Sequence, residues 1–199
     1  NDEFGALYNT EKTILYAYPK ASENKSYVIP STVTTIGEAP FRWNLSLEKI
    51  TVHPQNKNYK EFNNVLYTID GTTLISYPAQ RNGDSYTLEP TTTKIGMSAF
   101  CQSHILTVTL NENLKEIGDS AFESASSLKN LHITKNVNKI GEKVVEFAVD
   151  LADVTVDSNN ISFKIGNHAL YSYDGTTLYF YPVAKTGVTS FTTLATTKT

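Results

Sequence analysis

The sequence has few of the residues on which disulfide frameworks, metal clusters and membrane spans depend. Its 199 residues include one cysteine, Cys101, so no internal disulfide and no cysteine-based metal cluster is expected. No run of about 18 apolar residues is present, which argues against a transmembrane helix. Ten glycines and seven prolines are too few for a collagen-like or low-complexity chain. The composition therefore indicates one ordered domain or a modest array of repeats.

Positive charge and targeting signals are also sparse. The 17 basic and 20 acidic residues give a formal net charge of −3, so we expect no surface for a nucleic-acid backbone and no nucleic-acid partner. The first residues, NDEFGALY, lack the basic and apolar regions of a signal peptide. If the protein is exported, we expect its signal and its anchor to lie outside this chain.

Tyrosine, phenylalanine and threonine are abundant, and much of this excess comes from an internal repeat. One block occurs three times, as ALYNTEKTILYAYP from Ala6, VLYTIDGTTLISYP from Val65 and ALYSYDGTTLYFYP from Ala169. A second block occurs four times. Its copies are IGEAPF from Ile36, IGMSAF from Ile95, IGDSAF from Ile117 and IGEKVV from Ile140.

The two blocks alternate at fixed spacing. From Leu66 to Ile95 is 95 − 66 = 29 residues, and the Ile-Gly block then recurs after 22 residues at Ile117 and 23 more at Ile140. Periods of 20 to 50 residues are typical of solenoids. The spacing therefore predicts a solenoid built from two kinds of unit.

A strand pattern with apolar residues at i, i+3 and i+5 lies between the blocks. Its copies are Leu47, Ile50, Val52; Ile105, Val108, Leu110; Leu128, Leu131, Ile133; and Leu151, Val154, Val156. This L-x-x-L-x-L pattern is typical of leucine-rich repeats. Three residues beyond it stand Asn113, Asn136 and Asn159, with Gln55 in register. These amides are either buried groups that bond to the backbone of the neighbouring coil or ordinary exposed turn residues.

Each block predicts its own local structure. The Ile-Gly block is expected to return the chain on the outer side through a short helical turn that Ser98 or Asp119 caps. This turn would carry Phe100 and Phe122 into the core as anchors of adjacent coils.

The Leu-Tyr block predicts a β-hairpin. Asp70-Gly71 and Asp174-Gly175 are two-residue hairpin signals, whereas the first copy has Glu11-Lys12 at this place. After each hairpin we expect a further strand that rejoins the solenoid sheet. These strands are predicted at residues 27–29, 86–88 and 191–194.

The combination LYxxDGTTLxxYP, a strand, IGxxAF and LxxVxL resembles the BspA-like leucine-rich repeat surface proteins over nearly the whole chain. The resemblance implies a leucine-rich-repeat solenoid of the α/β superhelix class, rich in strands with few short helical turns, in which β-hairpin units alternate with the repeats. Local departures are Pro40 in place of the alanine of IGxxAF and Val144-Val145 in place of its Ala-Phe.

The predicted organisation is a single solenoid over residues 1–199, expected to be a segment of a longer array. Its hairpin units are 5–30, 64–90 and 168–195, and its leucine-rich units are 36–63, 95–116, 117–139 and 140–167. For the family, the resemblance implies export to the cell surface and binding of host or neighbouring-cell proteins, often as adhesins.

Patterns that carry catalysis or hold metals are absent from the sequence. The four histidines occur singly, and no GxSxG, P-loop or GxGxxG motif is present. Cys101 follows a core phenylalanine, so we interpret it as a buried thiol rather than a nucleophile. Acidic pairs such as Asp150 and Asp153 are interpreted as a solvated rim. We therefore expect a non-enzymatic protein with no metal and no cofactor.

The first candidate site is the face formed by the outward-pointing residues of the strand pattern, because side chains alternate across a strand. Its three rows are Lys49, Thr107, Asn130, Asp153; Thr51, Thr109, His132, Thr155; and His53, Asn111, Thr134, Asp157. The concave sheet of a solenoid is its usual partner surface.

The second candidate site lies in the hairpins, whose tyrosines mostly pack against the sheet. Tyr173 and Tyr179, if exposed, would stack on a sugar or anchor a protein. Two functions stay open: an extracellular or cell-surface, adhesin-like module that binds proteins, and a carbohydrate-binding or spacer region of a larger secreted polysaccharide-acting protein. Partner identity and oligomeric state are not encoded in these patterns.

Overall fold

The computed structural model describes residues 2–184 and 190–198, which form short β-strands joined by turns. The strands in this part of the chain are β1 (Leu7–Tyr8), β2 (Ile14–Ala17), β3 (Ser26–Ile29), β4 (Thr35–Ile36), β5 (Lys49–Val52), β6 (Tyr59–Phe62), β7 (Val65–Thr68), β8 (Thr73–Ser76), β9 (Ser85–Thr87), β10 (Lys94–Ile95), β11 (Thr107–Thr109), β12 (Glu116–Ile117), β13 (Asn130–Ile133), β14 (Lys139–Ile140), β15 (Asp153–Val156), β16 (Phe163–Gly166), β17 (Ala169–Ser172) and β18 (Leu178–Phe180). None of these residues is helical.

The chain winds in coils, each with an outer segment and an inner strand. Inner strands β9, β11, β13 and β15 form a four-stranded parallel sheet, in which Asn130 lies opposite both Thr107 and Asp153. Outer strands β8, β10, β12 and β14 pair in parallel as well. The predicted leucine-rich-repeat solenoid with interspersed hairpins is confirmed.

Stacked apolar side chains fill the space between the inner and outer strands. Phe100 and Phe122, from adjacent coils, are fully buried, and their rings stack with centroids 4.9 Å apart. The residues at i, i+3 and i+5 of the inner strands surround them, as in Leu128, Leu131 and Ile133. Every coil therefore depends on its neighbours for burial, as in other solenoids.

The Ile-Gly return segments form no helical turn, so the predicted caps at Ser98 and Asp119 are wrong. Instead, the N–H groups of Ser98, Phe100 and Gln102 donate to the carbonyls of Asp119, Ala121 and Glu123 in the next coil. The N–H groups between them close turns inside their own coil. Ser98 and Gln102 have φ values of 52° and 58°, in the left-handed region, which breaks the helical hydrogen-bond pattern. The backbone donors are satisfied between coils instead.

The second and third hairpin units contain one strand more than predicted. Antiparallel pairing joins β6, β7 and β8, and likewise β16, β17 and β18. The two-residue turns are Asn63-Asn64 and Asn167-His168, whose φ values are all positive, as a type I′ turn requires. The predicted boundary between residues 63 and 64 therefore falls inside a tight turn.

The Asp-Gly hairpin signals mark longer connections than predicted. Four residues, 69–72, separate β7 from β8, and Gly71 has a φ of 74° whereas Asp70 has no positive φ. The predicted hairpin is present, but the two-residue turn is not. Lys12 takes the place of this glycine in the first hairpin, with a φ of 53°.

The strand predicted at residues 191–194 is absent. Phe191 instead packs its ring against Tyr181, with centroids 4.8 Å apart. Residues 185–189 of the predicted unit 168–195, together with residues 1 and 199, lie outside the described residues.

The hairpin units interrupt both sheets. Strand β5 pairs with β3, and the four-stranded inner sheet begins again at β9, after the β6–β7 hairpin. The outer strand β4 pairs with β2 and has no partner strand on its other side within the described residues. The second hairpin unit thus marks a junction at which one run of coils ends and the next begins.

Candidate functional site

Eight side chains on the exposed face of the four-stranded inner sheet form the sheet face. They are Ser85, Thr87, Thr107, Thr109, Asn130, His132, Asp153 and Thr155, and all are exposed. Parallel pairing aligns them in two rows, with Ser85 opposite Thr107 and His132 opposite Thr155. The Nδ1 atom of His132 lies 2.9 Å from the Thr155 hydroxyl. The sheet face is a grid of short hydrogen-bonding groups.

The first two predicted rows are split between two separate sheets. Thr107, Asn130 and Asp153 lie in register, as do His132 and Thr155. Lys49 and Thr51 do not join them, because β5 belongs to the separate two-stranded sheet, where they lie opposite Ser26 and Val28. Ser85 and Thr87 were not among the predicted face residues, although they alternate with buried Tyr86 as the other face residues alternate with apolar ones.

The third predicted row lies beyond the ends of the strands, where the chain turns, and is not part of the sheet face. Thr134 is buried rather than exposed, and its hydroxyl donates to the carbonyl of Asn111. Asn111 donates to the Glu89 carbonyl. Asp157 accepts the N–H of Asn159, which lowers the pKa of this carboxyl. His53 makes a similar local contact, since its Nδ1 accepts the N–H of Gln55.

The three predicted ladder asparagines lie in solvent rather than in the interior. Asn113 and Asn136 each donate to a carbonyl of the preceding coil, at Pro90 and Glu112. Asn159 bonds only to Asp157 in its own turn. All three are therefore exposed turn residues, as the second alternative has it. Two of the three also form the hydrogen bond to the neighbouring coil that the first alternative expected.

The buried amides stand one residue later, at Asn56 and Asn160. The Nδ2 group of Asn160 donates to the carbonyls of Thr134 and Val137, and its Oδ1 accepts the N–H groups of Ser162 and Phe163. Asn56 forms the same four-bond arrangement. Both residues begin an N-x-[NS]-[YF]-K pattern that repeats after 160 − 56 = 104 residues. This recurrence is the sequence signal that would have identified them.

Most hairpin tyrosines are buried, and the two proposed contacts are among the exposed ones. The hydroxyls of Tyr67 and Tyr86 are hydrogen-bonded at 2.9 Å, and burial raises the pKa of both phenols. Tyr173 is 56% exposed, and Tyr179 is 36% exposed with its ring edge-on to Phe163. Tyr173 and Tyr179 are thus accessible, whereas the buried pair serves the hairpin packing.

Cys101 lies in a buried contact between coils. Arg42 and Trp43 lie beside its thiol, and Arg42 also pairs with Glu123 at 2.5 Å. Burial and the Glu123 carboxylate raise the pKa of the Cys101 thiol. A raised pKa keeps the sulfur protonated, which is the opposite of what a nucleophile requires.

Within residues 2–184 and 190–198, no three His, Cys, Asp or Glu side chains are grouped so that they could hold a metal ion. Over the same residues, no helix has the length and apolar character needed to cross a bilayer.

Comparison with known proteins agrees with the repeat architecture. The BspA type Leucine rich repeat region matches the chain in six copies, over residues 11–79 and 80–177. No curated protein matches the chain.

Several solved structures share the fold. A leucine-rich repeat protein from Eubacterium ventriosum is 33% identical with a TM-score of 0.65, and the match covers 66% of this chain and 36% of that one. The pneumococcal vaccine antigen PcpA is 27% identical with a TM-score of 0.59, covering 76% of this chain and 42% of that one. A leucine-rich cell surface protein from Faecalibacterium prausnitzii, 21% identical with a TM-score of 0.55 over 75% of this chain and 46% of that one, shares the fold. The matches thus span less than half the length of each of these proteins, and by its repeats the chain belongs to the BspA type of leucine-rich repeat proteins.

Proposed function

We propose that the chain is a non-enzymatic, adhesin-like module that acts outside the cell or on its surface and binds a host or neighbouring-cell protein through the sheet face. The observation that carries this proposal is the alignment of eight exposed polar side chains on one four-stranded sheet. Extended sheets of solenoids commonly serve as partner surfaces.

The chemistry of the sheet face suits a protein partner. Its hydroxyl, amide and imidazole groups both donate and accept hydrogen bonds, so they can match the mixed polar surface of another protein. Serine and threonine lose little side-chain entropy when a partner immobilises them, and the sheet beneath them is already ordered. Aromatic and arginine anchors are absent from the eight residues, so we expect moderate affinity that is spread over many contacts.

The location of this function is part of the proposal. Two similar structures are named as a vaccine antigen and a cell surface protein, which supports an exposed position for this chain as well. The protonated, buried state of Cys101 and the lack of a grouped set of acidic or histidine ligands in the described part of the chain give no support to an enzymatic function.

A carbohydrate-binding role is the second candidate, and the exposure of Tyr173 and Tyr179 favours it. An exposed tyrosine ring can stack on the apolar face of a sugar. In this case the chain would serve a larger secreted polysaccharide-acting protein.

One binding experiment separates these functions. The full chain is immobilised and exposed to a panel of purified extracellular-matrix proteins and to a glycan array. We expect binding to at least one protein, with no loss on Tyr173→Ala. Binding to glycans alone, abolished by Tyr173→Ala or Tyr179→Ala, would establish the second function instead. No binding in either panel would contradict the adhesion proposal.

A further inference from the structure

The chain contains two equivalent junctions where a hairpin unit follows a leucine-rich coil. Residues at the two junctions correspond with a spacing of 146 − 42 = 104 residues, so that Arg42 corresponds to Glu146 and Trp43 to Phe147. By the same spacing, Ala79 corresponds to Val183. The first junction therefore shows how the second one can be completed.

Coils that follow the hairpin seal the first junction. Only about 10 Å³ of space remains between Phe41, Tyr77, Ala79 and Cys101. Cys101, in the first coil after the hairpin, lies beside Arg42 and Trp43. Glu123, in the second coil after it, pairs with Arg42 at 2.5 Å and has a side chain only 6% exposed. The hairpin unit by itself leaves these contacts unmade.

The second junction is an open apolar cleft, which we name the Phe147 cleft. It has a volume of about 570 Å³ and is lined by Val145, Phe147, Val149, Tyr179 and Val183, among others. Phe147 is 64% exposed and Val183 is 65% exposed. The N–H of Phe147, the counterpart of Trp43, has no hydrogen-bond acceptor within the described residues.

The charge at the second junction is reversed. Glu146, which lines the Phe147 cleft, stands at the position of Arg42, and its carboxylate pairs at 3.6 Å with the ammonium of Lys143, whose side chain is 65% exposed. In a coil stacked on this junction, a carboxylate at the position of Glu123 would face the carboxylate of Glu146. A lysine or arginine at that position would form the matching pair.

We propose that the Phe147 cleft is a docking surface for a further pair of leucine-rich coils, with a small side chain at the Cys101 position and a cation at the Glu123 position. The apolar lining and the reversed charge at Glu146 each match one contact that seals the first junction. The occupant is therefore a polypeptide coil of the Ile-Gly-x-x-Ala-Phe type, stacked on the solenoid.

The test extends the chain without disturbing the repeat. Residues 1–198 are joined directly to a second copy of residues 95–139, which preserves the 104-residue spacing. One version keeps glutamate at the copied position 123, and the other carries lysine there. A matched control places the same Glu-to-Lys change at the copied position 112, because the side chain of Glu112 is 60% exposed.

We expect the added coils to slow hydrogen exchange of the Phe147 N–H by roughly tenfold or more. The lysine version should unfold at a higher temperature than the glutamate version, and Glu146→Gln should remove this difference. The control at position 112 should leave the ranking unchanged. Val183→Ser should be neutral in the parent chain and should lower the unfolding midpoint only in the extended chain.

Two results would overturn the proposal. One is exchange of the Phe147 N–H at the same rate in the extended and parent chains, whether or not the added coils fold. The other is equal stability of the lysine and glutamate versions.

Discussion

At the residue scale, the turns of the solenoid depend on single buried asparagine side chains. Their amides form the hydrogen bonds to backbone carbonyls and N–H groups that a neighbouring strand would form elsewhere. Asn44, Asn56 and Asn160 are each at most 5% exposed, and each satisfies two carbonyls and two N–H groups. A turn has no ladder to satisfy these groups, so a buried amide with two donors and an acceptor takes its place.

Replacing one of these amides should destabilise the chain strongly. Asn160→Ala leaves four buried backbone groups without their partner, and we expect it to lower the free energy of unfolding by about 2–4 kcal/mol. The adjacent, exposed Asn159 is the matched control, and Asn159→Ala should cost less than about 0.5 kcal/mol. Chemical denaturation measures both. Equal effects would contradict the assignment of the structural role to Asn160.

The aspartates of the hairpin loops make stability depend on pH. The hydroxyl of Thr68 and the N–H and hydroxyl of Thr72 donate to Asp70, which lowers the pKa of its carboxyl from 3.8 to about 2. A lowered folded-state pKa contributes stability that is present above the unfolded pKa and is lost as the pH falls through the folded one. The stabilising effect of Asp70 should therefore fade between about pH 4 and pH 2.

Asp70→Asn tests this linkage, because the amide keeps an acceptor oxygen but does not titrate in this range. Denaturation as a function of pH should show a shallower loss of stability in the variant than in the wild type. A wild-type slope in Asp70→Asn would contradict the assigned hydrogen bonds.

The strand pattern left open whether the asparagines three residues beyond it are buried or exposed. The predicted position, three residues past the strand pattern, lies one residue before the buried one. A single-residue error in a turn exchanges an inward for an outward side chain, and turns lack the strict alternation that fixes strands. The inner-strand residues were easier to place because their apolar partners fix the alternation, as Leu131 and Ile133 do for His132.

At the scale of the elements, a left-handed backbone position is shared by the hairpin loops. Gly71 and Gly175 have φ values of 74° and 77°, and Lys12 stands at the same place with a φ of 53°. Residues with a Cβ atom pay a steric cost of roughly 1–2 kcal/mol in this conformation. A Cβ at Gly71 would in addition lie 2.4 Å from a carboxylate oxygen of Glu89.

Substitutions at Lys12 and at Gly71 should change the free energy of unfolding in opposite directions. Lys12→Gly should raise the free energy of unfolding by about 1 kcal/mol, because the Lys12 side chain is exposed and only its strain is lost. Gly71→Ala should lower it by at least about 1 kcal/mol. Thermal unfolding checks both signs. A destabilised Lys12→Gly variant would show that the first hairpin does not share the loop conformation.

Stacking of adjacent return segments can be tested at Phe122. Its ring is fully buried against Phe100, so Phe122→Ala should cost about 3–5 kcal/mol. Phe147→Ala is the control, since that ring is 64% exposed and its loss should cost less than about 0.5 kcal/mol. Urea denaturation of both variants measures the difference. A cost below roughly 1 kcal/mol at Phe122 would mean that the predicted coil register is wrong.

The elements that the sequence predicted are those with a strong period. The L-x-x-L-x-L strands and the hairpins follow from alternation and from recurring Asp-Gly pairs. Strands β6 and β16 were missed because YKEF and FKIG are short and their turns, Asn63-Asn64 and Asn167-His168, lack the glycine of the usual signal. The return segments were predicted as helical turns because the pattern could not reveal hydrogen bonds that form only between coils.

At the scale of the whole molecule, the hairpin units decide which side chains share a surface. The predicted rows ran through all four leucine-rich units, but the β6–β7 hairpin separates Lys49 and Thr51 from the sheet face. Period and spacing identify which residues point outward, whereas sheet continuity depends on the stacking of whole coils. The sheet face therefore begins at Ser85 and ends at Thr155.

The proposed function makes this surface the binding site, and one measurement tests that claim most directly. The dissociation constant is measured for a matrix protein from the binding panel with the wild-type chain, Thr109→Arg and Thr10→Arg. Thr109 lies on the sheet face, and Thr10 is an exposed threonine on the first hairpin loop. We predict that Thr109→Arg weakens binding roughly tenfold or more, because a long charged side chain blocks a close polar contact, while Thr10→Arg changes it less than about twofold. Unchanged affinity in Thr109→Arg, with the fold intact, would contradict the account.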